Sequence, residues 1–251
     1  MKHRHVLSAL AILALTSTCA PALAAEGAHW GYEDATGPAK WGDLDAANQA
    51  CAIGAQQSPV DIANTIRAEL PTLKLNWPDS VDTIINNGHT IQLNFPAGGS
   101  LTLGDTSYQL LQVHFHHPSE HAIAGKRFPM EAHFVHRAEN GAIAVVGVLI
   151  EEGKANDVFH RIVQAMPATP GPAAKPAATD MKLQGLLPEN LSYYRYSGSL
   201  TTPPCSEVVE WVLLSEPVQA DAADIAAFAR LFPMNARPLQ KDNRRFILQS
   251  H

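Results

Sequence analysis

The sequence predicts a mainly β fold with short helices (α+β), in a single domain built on a large, mostly antiparallel twisted central sheet. Three observations lead there. From Val81 to Ile150, short runs of β-branched and apolar residues alternate with turn signals. Only two stretches, Asn156 to Met166 and Ala222 to Leu231, read as helices. Once an N-terminal leader is set aside, the length of the 251-residue chain suits one sizeable domain.

That leader comes first. Lys2, His3, Arg4 and His5 precede an apolar run from Val6 to Leu15 and a small-residue segment ending Ala22-Leu23-Ala24. The three-part pattern is that of a secretory signal peptide over residues 1–24, with cleavage after Ala24 and one domain over residues 25–251. The apolar run has about ten residues, too few to cross a bilayer as a stable helix. Cys19 opens a lipoprotein alternative, but the preceding Thr16-Ser17-Thr18 is more polar than an acylation site usually allows, so soluble export is favoured. No membrane span is expected after Ala24, and a short, Ala-rich leader suits a bacterial periplasm.

Removing the leader takes away Lys2 and Arg4 and no acid, so the net charge moves from −6 to −8. An acidic surface disfavours nucleic acid, whose binding needs Lys and Arg to replace phosphate counterions. Cys51 and Cys205 are the cysteines left after Cys19 goes. In an oxidising compartment they are most simply a disulfide; two unpaired buried thiols are the alternative.

Ala25 to Gln57 is rich in Gly, Trp and Asp without sustained periodicity and reads as a covering arm with turns. The strands that follow are broken at Asn86-Asn87-Gly88, Pro96-Ala97-Gly98-Gly99, Gly104-Asp105 and Glu139-Asn140-Gly141, which predicts antiparallel hairpins. Ala144 to Ile150 is apolar throughout and so reads as a central strand covered on both faces. In the first helix Val158, Ile162 and Val163 share one side, with Asn156 or Asp157 as the cap. Five of the fifteen residues from Ala165 to Thr179 are Pro or Gly and most of the rest are Ala, which predicts an extended surface loop.

The chemistry is concentrated in Gln112-Val113-His114-Phe115-His116. On a strand, residues two apart share a face, so His114 and His116 point the same way with Gln112 beside them. In Glu131-Ala132-His133-Phe134-Val135-His136, the same parity groups Glu131, His133 and Val135. If the two strands are antiparallel neighbours, His133 sits opposite the first pair. Three neutral imidazoles without a fourth protein ligand leave an open position, which is the arrangement of a catalytic zinc; cobalt and copper also suit such donors. Gln112 and Glu131 are placed to accept the second ring N–H of a ligating histidine, a role that would pair two polar groups otherwise costly to bury. A lone His-x-His is weak evidence. His117, His121 and His136 read as ordinary surface or core histidines.

Further motifs follow in order: His29-Trp30-Gly31-Tyr32, Gln57-Ser58-Pro59-Val60-Asp61-Ile62, Asn86-Asn87-Gly88-His89, Ser119-Glu120-His121, Gly198-Ser199-Leu200-Thr201-Thr202-Pro203-Pro204-Cys205, and Asn235 with Arg237-Pro238. Together with the histidines they resemble the α-class carbonic anhydrases over nearly all of the mature chain, most specifically in Gly198 to Cys205. The resemblance implies a lyase that hydrates carbon dioxide reversibly to bicarbonate and a proton, with one zinc ion per chain on His114, His116 and His133. It implies a zinc-bound hydroxide as nucleophile, with Thr201 accepting the hydroxide's proton and donating its own to Glu120. It implies a substrate pocket of Val135, Val145, Leu200, Thr202 and Trp211. His89 matches the proton shuttle, a role open to an exposed imidazole with a reference pKa near ~6.5. Tyr32, Asn87 and Gln92 match residues that order the intervening water, although Gln92 stands where Asn is commoner. The partner implied is a small molecule, and monomer and homodimer both remain open. A silent relative serving as a binding module would usually lack a zinc ligand, and all three are present. A zinc hydrolase would need a carboxylate base, as in His-Glu-x-x-His enzymes, and no such motif occurs.

Overall fold

The computed structural model describes residues 29–251; the expected leader over residues 1–24 lies outside the described residues. Twelve strands form one twisted sheet. Nine lie in the spatial order Ile66–Arg67, Leu248–Gln249, Tyr193–Gly198, Val209–Leu214, Ile143–Glu152, Met130–Ala138, Thr106–His116, Ile91–Asn94 and Thr83–Asn86. Lys74–Asn76 and Ser100–Leu103 join through Thr106–His116, and Val218–Ala220 joins beside Ile143–Glu152. Only three of its pairings are parallel, so the sheet is mostly antiparallel as the hairpin signals predict. The expected hairpin glycines Gly88, Gly98, Gly104 and Gly141 all have positive φ, the backbone region in which a side chain is disfavoured.

Ile143–Glu152 lies between an antiparallel and a parallel neighbour, and Ala144 to Ile150 are all buried, which explains its uninterrupted apolar run. Alternation along the neighbouring strands sorts side chains between two layers. Val113, Phe115, Ala132, Phe134, Val146 and Val148 enter the main core on one face. The helices Asp157–Ala165 and Ala222–Leu231 close that layer, with Phe115 centred 5.6 Å from Phe159 and 6.1 Å from Phe228. Burying a side chain such as Phe115 completely is worth about 1.5–3 kcal/mol. Asn156 caps the first helix by accepting from the N–H groups of Val158 and Phe159, typically worth ~1 kcal/mol. Phe159, Ile162 and Val163 are its buried residues, and Val158 is only partly covered.

The N-terminal arm folds as short helical turns, among them Trp41–Leu44 and Ala50–Ile53, which pack Trp41 and Cys51 against Cys205. Cys51 and Cys205 form a disulfide. The chain from Ala165 to Thr179 is mostly exposed, yet Ala174 exchanges backbone hydrogen bonds with Ile84 and so covers part of the sheet-edge strand Thr83–Asn86.

Candidate metal centre

The site lies on the sheet face opposite the helices. In the antiparallel register of Thr106–His116 and Met130–Ala138, His133 is directly across from His114, and Glu131 from His116. The next strand continues the rows with Gly147 beside His133 and Val145 beside Val135. A Cβ on Gly147 would lie 3.1 Å from Glu131 Oε1 and 2.8 Å from Leu213 Cδ1, so the carboxylate's place depends on a glycine there.

Each of the three imidazoles has one nitrogen committed to an acceptor. His114 Nδ1 lies 2.8 Å from Gln112 Oε1, His116 Nδ1 2.8 Å from the Asn235 carbonyl oxygen, and His133 Nε2 2.8 Å from Glu131 Oε1. Donating there leaves each ring a lone pair on its other nitrogen. Ligand atoms of His114, His116 and His133 all lie within 4.8 Å of one another, and the buried Nε2 of His116 has no hydrogen-bond partner. Burial and the neighbouring imidazoles hold His114 well below the usual imidazole range; burial lowers His116 as well. His114 and His116 are thus biased toward the neutral form that ligates a metal. Three neutral nitrogen donors with oriented second nitrogens fit a divalent ion of the zinc type.

Glu131 is the centre of a buried network. Its Oε1 takes His133 Nε2 and, at 2.7 Å, His121 Nδ1; its Oε2 accepts from the N–H groups of Glu120 and His121. Burial alone would raise this carboxyl, but the charges and hydrogen bonds of His121 and His133 hold it well below the ordinary value. From His121 the chain runs on through Tyr196 Oη at 2.6 Å to Ser58 Oγ at 3.0 Å. Ser58 Oγ in turn accepts from the Ser199 N–H, two residues before Thr201.

Glu120 is fully buried. Its Oε1 accepts from the Arg237 N–H, while its Oε2 has no hydrogen-bond partner and lies 3.6 Å from His116 Nε2 and 3.9 Å from His133 Nδ1. Thr201 is buried, and no Thr201–Glu120 hydrogen bond occurs among the described residues. Val135, Val145, Leu200 and Trp211 belong to one apolar cluster, with Val135, Val145 and Trp211 in a single cross-strand row. Trp211 is centred 4.9 Å from the His133 ring, so that wall abuts the histidines. Thr202 is half-buried on the same loop as Thr201.

The sequence pattern of the eukaryotic-type carbonic anhydrases matches residues 36–251. The chain belongs to the α-carbonic anhydrase family. A carbonic anhydrase of Neisseria gonorrhoeae is 43% identical over 247 residues, covering 97% of this chain and 96% of that protein. One from Pectobacterium carotovorum is 42% identical over 240 residues, 95% of this chain and 98% of its own. The solved α-carbonic anhydrase of Thermovibrio ammonificans, in complex with the inhibitor sulfanilamide, is 42% identical with a TM-score of 0.86, over 89% of this chain and 100% of that one.

Of the residues matched by resemblance to a proton path, Gln92 lies beside His114 in the sheet, while His89 stacks against the N-terminal arm that carries Tyr32. His89 is half-buried and stacks on Trp30, with ring centroids 3.8 Å apart. Asn87 is exposed, and its Oδ1 accepts from the N–H groups of His89 and Thr90, so that oxygen is committed to the turn that presents His89. Gln92 Nε2 donates to Asn94 Oδ1, and Tyr32 is half-buried with its phenol pushed well above the ordinary value by burial and by Glu120. Two groups at the site escape a reading of the residues alone. The Asn235 carbonyl is backbone and has no side-chain signature, although Asn235 itself stands in a family motif. His121 reads as a plain core histidine because its partner Glu131 lies on another strand.

Proposed function

We propose that this carbonic anhydrase relative catalyses the reversible hydration of carbon dioxide to bicarbonate and a proton, with one zinc ion on His114, His116 and His133. The observation that carries the reading is the set of three imidazoles, each with one nitrogen tied to Gln112, Asn235 or Glu131 and the other turned inward. When bound, the metal supplies Lewis acidity that makes water ionise near neutral pH, an effect for which carbonic anhydrase is the reference case.

The chain's own residues do the rest. Gln112 and Glu131 fix ring orientation and tautomer, so the metal-facing nitrogens stay unprotonated. Val135, Val145, Leu200 and Trp211, with Thr202 at the margin, give a nonpolar substrate a surface with few competing hydrogen bonds. Thr201 Oγ1 accepts a hydrogen bond from the attacking group and donates its own toward the unpartnered Glu120 Oε2, which selects for bound groups that have a proton to donate. Each hydration leaves one proton to export; His89 takes it through water ordered by Tyr32, Asn87 and Gln92. A signal peptide over residues 1–24, a domain over residues 25–251 and a bacterial periplasmic location complete the proposal. The disulfide is compatible with that oxidising compartment.

Stopped-flow hydration of carbon dioxide, with metal analysis on the same sample, tests it. Stoichiometric zinc with rapid hydration is expected. Stoichiometric zinc without hydration would favour the binding-module reading instead.

A further inference from the structure

One row beyond the apolar wall, the sheet face that carries the histidines turns polar. Val135 pairs with Gln112, but the next residue, His136, pairs with Leu110, so Leu111 is an extra residue in its strand. Without this bulge, the parity set by Val113 would carry Gln109 into the core; with it, Leu110 and Tyr108 are buried there, and Gln109 and Ser107 are exposed. Arg137, two residues beyond Val135, lies opposite Gln109, and Ser100 flanks Gln109 on its other side. Ser100, Gln109 and Arg137 thus form one cross-strand row next to the row of Gln112 and Val135. With Ser107 and Glu139 they border an open hollow of about 790 Å³. Gly98 and Gly141, both at positive φ, border it without side chains. Arg137 and Glu139 are exposed, yet neither enters an ion pair among the described residues.

We infer that this row is a second anion site, separate from the metal centre, which takes a small planar oxyanion and in this protein bicarbonate. A free guanidinium fork beside two hydroxyls and a carboxamide supplies only donors and neutral groups to such a ligand, and the fork matches two of its oxygens at once. The choice of bicarbonate rests on the proposed reaction, which forms that anion against the neighbouring row; the donor set itself does not. On a chain with a net charge of −6, an anion leaving the apolar wall is repelled over most of the surface, and Arg137 offers a local cation beside that wall. Glu139 on the rim opposes the anion, which keeps the site weak and readily emptied.

The test is an NMR titration of the nitrogen-labelled, zinc-loaded mature chain with sodium bicarbonate, sodium acetate and sodium chloride, at constant pH and ionic strength. Bicarbonate should shift the Arg137 Nε–H and Gln109 side-chain amide signals saturably, and chloride should not. Arg137→Gln should weaken binding at this row about tenfold, the effect of losing a charge-assisted hydrogen bond. Glu139→Gln removes the opposing charge and should tighten it about twofold. Equal shifts with chloride, or Gln109 shifts by bicarbonate that survive Arg137→Gln, would overturn the site. Tighter binding of acetate than of bicarbonate would assign the row to organic carboxylates and overturn its link to the reaction. The readout needs no turnover. Bicarbonate shifts in a protein that fails to hydrate carbon dioxide would therefore sink the reaction and leave the anion site, and rapid hydration without those shifts would sink the site alone.

Discussion

At the scale of single residues, the site depends on which ring nitrogen carries a proton. His133 faces the metal position with Nδ1 because Glu131 holds its Nε2. His114 and His116 face it with Nε2 because Gln112 and the Asn235 carbonyl hold their Nδ1 atoms. His114→Ala removes one of three donors and should reduce bound metal to background in elemental analysis; a stoichiometric zinc content would overturn the ligand assignment. Glu131→Gln is a finer probe. It keeps the volume but sets an NH₂ group among four donors that now share one carboxylate. Loss of an oriented acceptor behind a ligating histidine typically costs about 10–100-fold in metal affinity. Chelator competition should show a loss of that size, and unchanged affinity would mean that His133 is oriented by packing against Trp211 instead.

At the scale of elements, the segment from Ser199 to Cys205 is anchored along its length. Ser58 and Ser199 exchange hydrogen bonds, Trp211 Nε1 donates to the Ser199 carbonyl, Leu200 N–H donates to the Ser206 carbonyl, and Cys205 is bonded to Cys51. The bridge closes a loop across a sequence separation of 154 residues. Losing such a bridge costs roughly 2–5 kcal/mol, mostly by freeing the unfolded chain in the entropy model. A reducing agent or Cys51→Ser should therefore lower Tm by roughly 4–20 °C, given about 2–4 °C per kcal/mol for a domain of this size. Equal Tm with and without reductant would contradict this. The same elements show what a sequence reveals. Two-residue periodicity puts His114, His116 and Gln112 on one face, and Glu131 and His133 on another strand's face, because strand parity is local. The pairing of Ile143–Glu152 with Val209–Leu214 is parallel and joins distant segments, so no turn announces it. The Asn235 carbonyl reaches His116 across a still longer gap, a sequence separation of 119. The burial of Phe159 in place of Val158 depends on which side the sheet occupies, and helical spacing alone does not specify that.

At the scale of the whole molecule, the sheet keeps ionisable groups in both layers, and the far layer sets an acid limit on the fold. His136 is fully buried on the core face, where Trp77 Nε1 donates to its Nε2 at 3.0 Å and its ring lies against Trp77. Burial lowers its pKa to about 4, opposed by backbone contacts with Phe134 and Ala144. In the unfolded chain an imidazole titrates near ~6.5. Between about pH 6.5 and 4 the unfolded state therefore binds more protons than the folded one, and stability falls as the pH falls through that window. The shift corresponds to about 3 kcal/mol at most, fully lost only near the folded pKa. His114 and His116 add to the same trend in metal-free protein, since their pKa values are also lowered. A comparison of metal-free wild type with metal-free His136→Gln isolates the core histidine, because the amide oxygen can still accept from Trp77 and does not titrate. Going from pH 7 to pH 5, Tm should fall less in His136→Gln than in wild type. Equal falls in the two proteins would show that His136 is not a source of acid sensitivity, leaving it to the histidines on the opposite face of the sheet.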